Sequence, residues 1–251
     1  MNATSPLKEG TRLKILGVDT SAKTASAAIY ESGKLLGEIY ADVGLTHSET
    51  ALPMVKALLD LTRVSLRELD LLAVSTGPGS FTGLRIGIAA VQGISVGSGI
   101  PCASVSTLEA LAWNLQDFDG VVCPVMDARR EQVYTALFRG DGEVLQRIGE
   151  DRAVSLEQLG RELSNLREAI IFVGDGAEMC YNKLVHSLDR ATLAIQSRRM
   201  QRASSVCRVG ESVFMRQTGI VGPQDLTPSY LRLPQAERER NERLARQENS
   251  W

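Results

Sequence analysis

The chain has 251 residues, a net charge of −2, and 43% hydrophobic against 23% charged residues, the composition of an ordinary globular protein with a sizeable core. That balance excludes a broad basic surface for nucleic acid, although 28 Lys and Arg leave room for a local patch. No stretch reaches the roughly 18 apolar residues of a membrane span, and "MNATSPLKEGTR" has no apolar secretory core. A cytoplasmic protein without a membrane partner is expected.

From Leu13 the chain reads as strand "LKILGVD", turn "TSAKT", strand "ASAAIY", a Gly33 turn and "KLLGEIY", a β-hairpin series. "HSETALPMVKALLDLT" follows, with Ala51, Leu52, Val55, Leu58 and Leu59 on one helical face. Pro53 fits a helix that begins near Ser48 to Thr50, because N–H groups of a first turn need no partner. A buried strand, "DLLAVSTG", leads into the glycine-rich "TGPGSFTGLRIG" and a helix from about Ser80 to Gly97.

The second half repeats the order. "GVVCPVMD" again ends in aspartate, "ARREQ" turns into "VYTALF", and Ser155 with Gln158 forms a capping-box pattern before "LEQLGRELSNL". Strand "AIIFVG" then runs into "DGA" and a helix near Glu178 to Ser187. Asp19 precedes Ile29, and Asp127 precedes Leu137, by the same ten residues. Two related α/β lobes with a cleft between them are therefore expected. An amphipathic helix near Ala203 to Gln217 and an extended "DLTPSYLRLP" close the fold. "AERERNERLARQENSW" reads as a solvated tail with i,i+4 Glu–Arg pairs. Cys102, Cys123, Cys180 and Cys207 show no C-x-x-C spacing and read as buried thiols.

The glycine segment is not a phosphate-binding P-loop, because no lysine follows its glycines. Pro78 and Gly79 read as a tight turn, and Ser80 or Thr82 as the cap of a helix carrying Leu84, Ile88, Val91 and Val96 among Gly83, Gly87, Ala90, Gly93 and Gly97. Each helical glycine costs about 1 kcal/mol against alanine. Their number points to close approach of another backbone, either the chain's own helix at Ser48 to Thr62 or one from a second subunit.

Lobes built on strand-Asp-turn-strand hairpins resemble the actin, sugar-kinase and Hsp70-type ATPase fold, with duplicated ribonuclease H-like lobes. "ILGVDTSAKTASAAIY", "THSETALPMV", "STGPGSFTGLRIGIAAVQGIS", "SVSTLEALA" and "PSYLR" resemble the bacterial TsaB (YeaZ) family, which takes part in making threonylcarbamoyladenosine on ANN-decoding tRNAs. The resemblance spans roughly Leu13 to Leu233. Outside it lies an expected flexible tail over 1–12; within it are expected an N-terminal lobe over 13–106 with partner-binding helices and a C-terminal lobe over 107–233 whose last helix returns to the first lobe. A charged tail over 234–251 completes the chain.

The resemblance also implies a non-catalytic scaffold. It would bind a TsaD-type threonylcarbamoyltransferase through Leu52, Val55, Leu59, Gly83, Arg85, Gly87, Ala90 and Gly93. A TsaE-type ATPase would dock on the assembled pair, a TsaC-type synthase would act upstream, and tRNA would be met through the complex. Alone, the chain would form a homodimer through the same surface.

In the wider ATPase fold an aspartate on each hairpin holds metal and phosphates. The matching residues, Asp19, Thr20, Ser21 and Asp127, mark a vestigial nucleotide cleft, because the long side chains of Arg129 to Gln132 obstruct a phosphate turn. The sister family TsaD carries two metal-binding histidines four apart; Thr107 and Leu111 stand there instead, and His47 and His186 lie in unrelated segments. No metal and no cofactor of its own are expected, ATP belonging to the assembled complex. The rival readings are an ATPase or phosphotransferase using Asp19 and Asp127, and a metal-dependent peptidase.

Overall fold

The computed structural model describes residues 12–232. The expected N-terminal tail, apart from Arg12, and the charged tail lie outside the described residues. The first sheet is built from β1 (Lys14–Asp19), β2 (Ala25–Glu31) and β3 (Lys34–Ala41), an antiparallel meander in which Asp19 lies opposite Ser26. Helix α1 (His47–Thr62) carries the chain to β4 (Leu71–Gly77), parallel to β1. Helix α2 (Phe81–Ser98) carries it on to β5 (Cys102–Ser106), parallel to β4.

Helix α3 (Thr107–Trp113) leads into the second sheet. Its centre is β6 (Asp119–Asp127), a nine-residue strand long enough to take two antiparallel partners in succession. β7 (Gln132–Thr135) pairs with its C-terminal end and β8 (Phe138–Asp141) with its N-terminal end. β9 (Leu145–Arg147) and β10 (Arg152–Ser155) follow, then α4 (Leu156–Ser164), β11 (Ile170–Val173), α5 (Ala177–Leu184) and β12 (Ala191–Leu193).

The two sheets carry one plan. The order β3-β2-β1-β4-β5 of the first is matched by β10-β7-β6-β11-β12 in the second, with the same parallel and antiparallel senses at every step. This is the duplicated ribonuclease H-like pair of lobes of the actin, sugar-kinase and Hsp70-type fold. The β8–β9 hairpin is an addition to the second copy.

After a short helix α6 (Gln196–Arg199) the chain returns to the first lobe. Helix α7 (Ala203–Met215) lays Val206, Cys207, Val209 and Phe214 on Ile15 and Ala73 of the first sheet, and β13 (Ile220–Val221) pairs with β5. The face of the first sheet covered by α7 is thereby buried, as apolar residues on a strand require. Between the lobes, Ala22 packs with Leu108, Leu111 and Ala112 of α3 and with Met126 and Val173 of the second sheet. All four cysteines are buried and unbridged. No helix among the described residues is long and apolar enough to cross a membrane.

One helix start departs from the sequence reading, and the other follows it. Helix α1 begins at His47, capped by Thr46, whose N–H and hydroxyl donate to the Glu49 carboxylate at 3.2 and 2.6 Å. Pro53 therefore sits past the first turn and removes one helical hydrogen bond, on the exposed side of the helix. Helix α2 begins at Phe81, with the Ser80 hydroxyl accepting from the Gly83 N–H at 3.2 Å, and ends at Gly99 in the left-handed region, φ 76°.

Candidate partner-binding face and interlobe cleft

Helices α1 and α2 pack side by side over the first sheet. The glycines of α2 divide into two groups. A Cβ on Gly83 would meet the Thr20 carbonyl oxygen at 2.1 Å, and one on Gly87 the Thr20 hydroxyl at 2.3 Å. That hydroxyl donates to the Gly83 carbonyl at 2.8 Å, so the N-terminal half of α2 is seated directly on the β1–β2 turn. Around Gly93 and Gly97, by contrast, there is open space.

Of the eight expected interface residues, three therefore lie inside the molecule. Val55 is a core residue at 4% exposure, because it packs with Leu16, Leu58 and Ile88. Gly83 and Gly87 are closed off by Thr20. Leu52 and Gly93 are exposed, Leu59 and Ala90 are half-buried, and Arg85 is exposed. Ala89 and Leu61, which sequence reasoning did not single out, are exposed as well, and so is Val96. On α2, Ala89, Gly93 and Gly97 follow one another at four-residue spacing and so form one small-residue stripe. Beside it a shallow depression of about 710 Å³ is lined by Leu66, Leu69, Gly93, Ile94, Gly97 and Ile100.

Arg85 is not a loose surface charge. Its Nε donates to the Tyr230 hydroxyl at 2.9 Å, and its guanidinium lies 3.8 Å from the centre of the Phe81 ring. Phe81 in turn stacks on Tyr230 with ring centres 4.9 Å apart.

The cleft between the lobes is a cavity of about 370 Å³ walled by Ser21 to Lys23, Pro78 to Phe81, Met126 to Arg129, Asp175 and Ser229 to Arg232. Asp19 does not reach it. Its carboxylate is buried at 1% exposure, with Oδ1 accepting from the N–H and hydroxyl of Ser21 at 2.9 and 2.8 Å and Oδ2 from the Ser75 hydroxyl. Burial pushes its carboxyl above the ordinary range, while Ser75 and Ser21 pull it back. Its work is to tie the end of β1 to β4 and to its own turn. Thr20 is committed to Gly83, so of the first-lobe residues expected in the nucleotide cleft only Ser21 stands on its wall.

Asp127 does line the cleft, accepts the Arg129 N–H at 2.7 Å and pairs with the Arg129 side chain at 3.5 Å. The turn it caps holds Arg129, Arg130 and Glu131 successively in the left-handed region, at φ 65°, 52° and 59°. Each such non-glycine residue costs roughly 1–2 kcal/mol. Glu131 is swung out to Lys183 at 2.6 Å. Asp175 also faces the cavity, and burial pushes its carboxyl up to about 6 with Asp127 adding to the rise.

Thr107 and Leu111 are buried at the start of α3 and within it. His47 bonds the Ala22 carbonyl through Nε2 at 2.7 Å, far along the chain from His186. Among the described residues no three His, Cys, Asp or Glu side chains gather in a metal-ligating group.

Comparison with known proteins agrees with this architecture. The family model described as "TsaD: tRNA N6-adenosine threonylcarbamoyltransferase" matches residues 41–239. The tRNA threonylcarbamoyladenosine biosynthesis protein TsaB of Bacillus subtilis (strain 168) is 29% identical over 227 residues, 90% of this chain and 96% of that protein. TsaB of Escherichia coli (strain K12) is 32% identical over 167 residues, 65% of this chain and 72% of that protein. YeaZ from Pseudomonas aeruginosa superposes with a TM-score of 0.71 and 25% identity, covering 87% of this chain and all of that one. With its duplicated lobes, its glycine-bearing α2 and these relatives, the chain belongs to the TsaD family and, within it, to TsaB (YeaZ).

Proposed function

We propose that this chain is a non-catalytic scaffold of the machinery that makes threonylcarbamoyladenosine on tRNA, and that it binds a TsaD-type threonylcarbamoyltransferase through the exposed faces of α1 and α2. One observation carries the reading: Gly93 and Gly97 face open space on a helix whose neighbourhood exposes Leu52, Leu61 and Val96. Glycines inside a helix cost stability, and a partner backbone approaching over them recovers it as packing contact. Exposed apolar side chains beside them are what such a partner would bury. In the absence of the partner the same surface serves a second copy of the chain.

The cleft supports the non-catalytic half of the proposal. Asp19 is fully engaged by Ser75 and Ser21, so the pair of aspartates that a phosphotransferase would aim at metal and phosphate is reduced to Asp127. A TsaE-type ATPase docks on the assembled pair and supplies the nucleotide chemistry. The net charge of −2 fits a subunit that meets tRNA through the complex, in the cytoplasm. Co-purification with a TsaD-type protein, followed by a modification assay with and without this chain, tests the reading. Stable co-elution and dependence of the modification on this chain are expected. Separate elution, or metal-dependent peptidase or nucleotide turnover by this chain alone, overturns it.

A further inference from the structure

The last described residues form a strap, Gly222–Arg232, that neither the partner face nor the cleft chemistry explains. Its first half is anchored to α2: the Gln92 side-chain amide donates to the carbonyls of Pro223 and Leu226 at 2.8 and 3.0 Å, and Leu226 is buried at 1% exposure in the first-lobe core. The Ser229 N–H then donates to the Thr76 carbonyl at 2.7 Å. Gly77, at φ +138°, lets the strap pass, because a Cβ there would sit 2.3 Å from the Ser229 carbonyl oxygen.

The next three residues cross between the lobes. Tyr230 stacks on Phe81 and accepts from Arg85, both on α2 of the first lobe. Arg232, only two residues on, donates through Nη1 to the Ala128 carbonyl at 2.7 Å, on the β6–β7 turn of the second lobe. Ser229 to Arg232 also form one wall of the interlobe cavity.

We propose that this strap couples the separation of the two lobes to the orientation of Arg85 on the partner-facing helix. Two residues span at most about 7 Å even when extended. With Ser229 pinned to Thr76, the backbone between Tyr230 and Arg232 has little slack, and beyond it only the Arg232 side chain can extend. Opening of the cleft pulls Arg232 from Ala128 or drags Tyr230 off Phe81 and Arg85. Conversely, a group that draws Arg85 away from Tyr230 removes the hydrogen bond that helps hold Tyr230 on Phe81 and the strap against the cavity. Linkage makes the two effects reciprocal: what opens the lobes frees Arg85, and what takes Arg85 loosens the lobes. The proposal draws on the partner-face reading only for what the release of Arg85 serves; the lobe motion belongs to the chain alone.

The test is a distance between the lobes in the full chain without any partner. The four native cysteines are buried and burial pushes their thiols up, so spin labels on cysteines introduced at the exposed Asp42 and Gln158, one in each lobe, label selectively. The wild-type background should give one narrow distance by double electron–electron resonance. Arg232→Ala should lose that narrow distance. Arg85→Ala and Tyr230→Ala should lose it too, although Arg85 bonds the strap and not the second lobe, and Tyr230→Ala combined with Arg232→Ala should add nothing further. Tyr230→Phe keeps the ring stack and guards against a folding defect; it should broaden the distribution less than Tyr230→Ala at an unchanged circular-dichroism spectrum. A wild-type distance in Arg85→Ala, or in Arg232→Ala, overturns the coupling. Failure of partner binding with the coupling intact would instead strike the scaffold reading.

Discussion

The same substitution at two glycines of α2 should have opposite effects on the isolated chain. In Gly87→Ala the new methyl would meet the Thr20 hydroxyl at 2.3 Å, and Thr20 is buried at 2% exposure with its hydroxyl committed to the Gly83 carbonyl. Forcing it aside forfeits a hydrogen bond of about 1 kcal/mol and adds overpacking of about 1–3 kcal/mol. The better helix propensity of alanine returns about 1 kcal/mol. The net is a destabilisation of about 1–3 kcal/mol, or a melting temperature about 2–12 °C lower for a chain of this size. Gly93→Ala meets nothing within contact distance and keeps only the propensity gain, about 1 kcal/mol or 2–4 °C upward. Thermal unfolding by circular dichroism over a dilution series reads both values, dilution removing the contribution of any homodimer. A neutral or stabilising Gly87→Ala, or a destabilising Gly93→Ala in the dilute limit, would refute the division of the helix into an inward and an outward set of glycines.

The remaining expectations follow from single contacts. Asp19→Ala strands the Ser75 hydroxyl and the Ser21 N–H and hydroxyl in the interior and should cost about 2–5 kcal/mol in urea unfolding; wild-type stability would show that Asp19 is not structural. Asp175 has a folded value of about 6 against its ordinary 3.8, so its contribution to stability is full below about pH 4 and lost as the pH rises through about 6. Asp175→Asn keeps an acceptor for Gln201 and should match the wild type near pH 4 yet exceed it by up to about 3 kcal/mol at pH 7.5; a less stable variant at pH 7.5 contradicts that sign. Val96→Glu, at 75% exposure, should leave the monomer's stability within about 0.5 kcal/mol while abolishing self-association in sedimentation velocity, and a dimer of unchanged strength would place the contact elsewhere.

The duplicated plan was legible because it rests on local signals. Strand-Asp-turn-strand hairpins at the same offset, each followed by a helix, a buried strand and a glycine turn, mark both lobes, and the two sheets carry one strand order. The allocation of glycines within α2 was also recoverable. At about 100° per residue Gly87 lies about 40° round from Gly83, whereas Gly93 lies about 240° round from Gly87 and faces away from it. Treating them as one stripe hid that difference, just as the shared helical face of Ala51, Val55 and Leu58 made Val55 look as available as Leu52.

Other features had no local trace. The pairing of Arg85 with Tyr230 joins residues 145 apart in the chain, and nothing in "PSYLR" names its partner. The left-handed turn at Arg129 to Glu131 contains no glycine or asparagine to announce it. The removal of Asp19 from the cleft depends on Ser75, a strand away and 56 residues on.

The central claim is that the open glycine face of α2 receives a partner's helix while the chain itself does no chemistry. Gly93→Leu, whose side chain would project into that open space, should be placed in a reconstituted threonylcarbamoyladenosine assay with a TsaD-type enzyme and the other components. The account predicts that modification falls to the level seen without this chain, while the variant keeps its own fold and a melting temperature no lower than that of the wild type. Full modification with Gly93→Leu, or modification that proceeds unchanged when this chain is omitted, would contradict it.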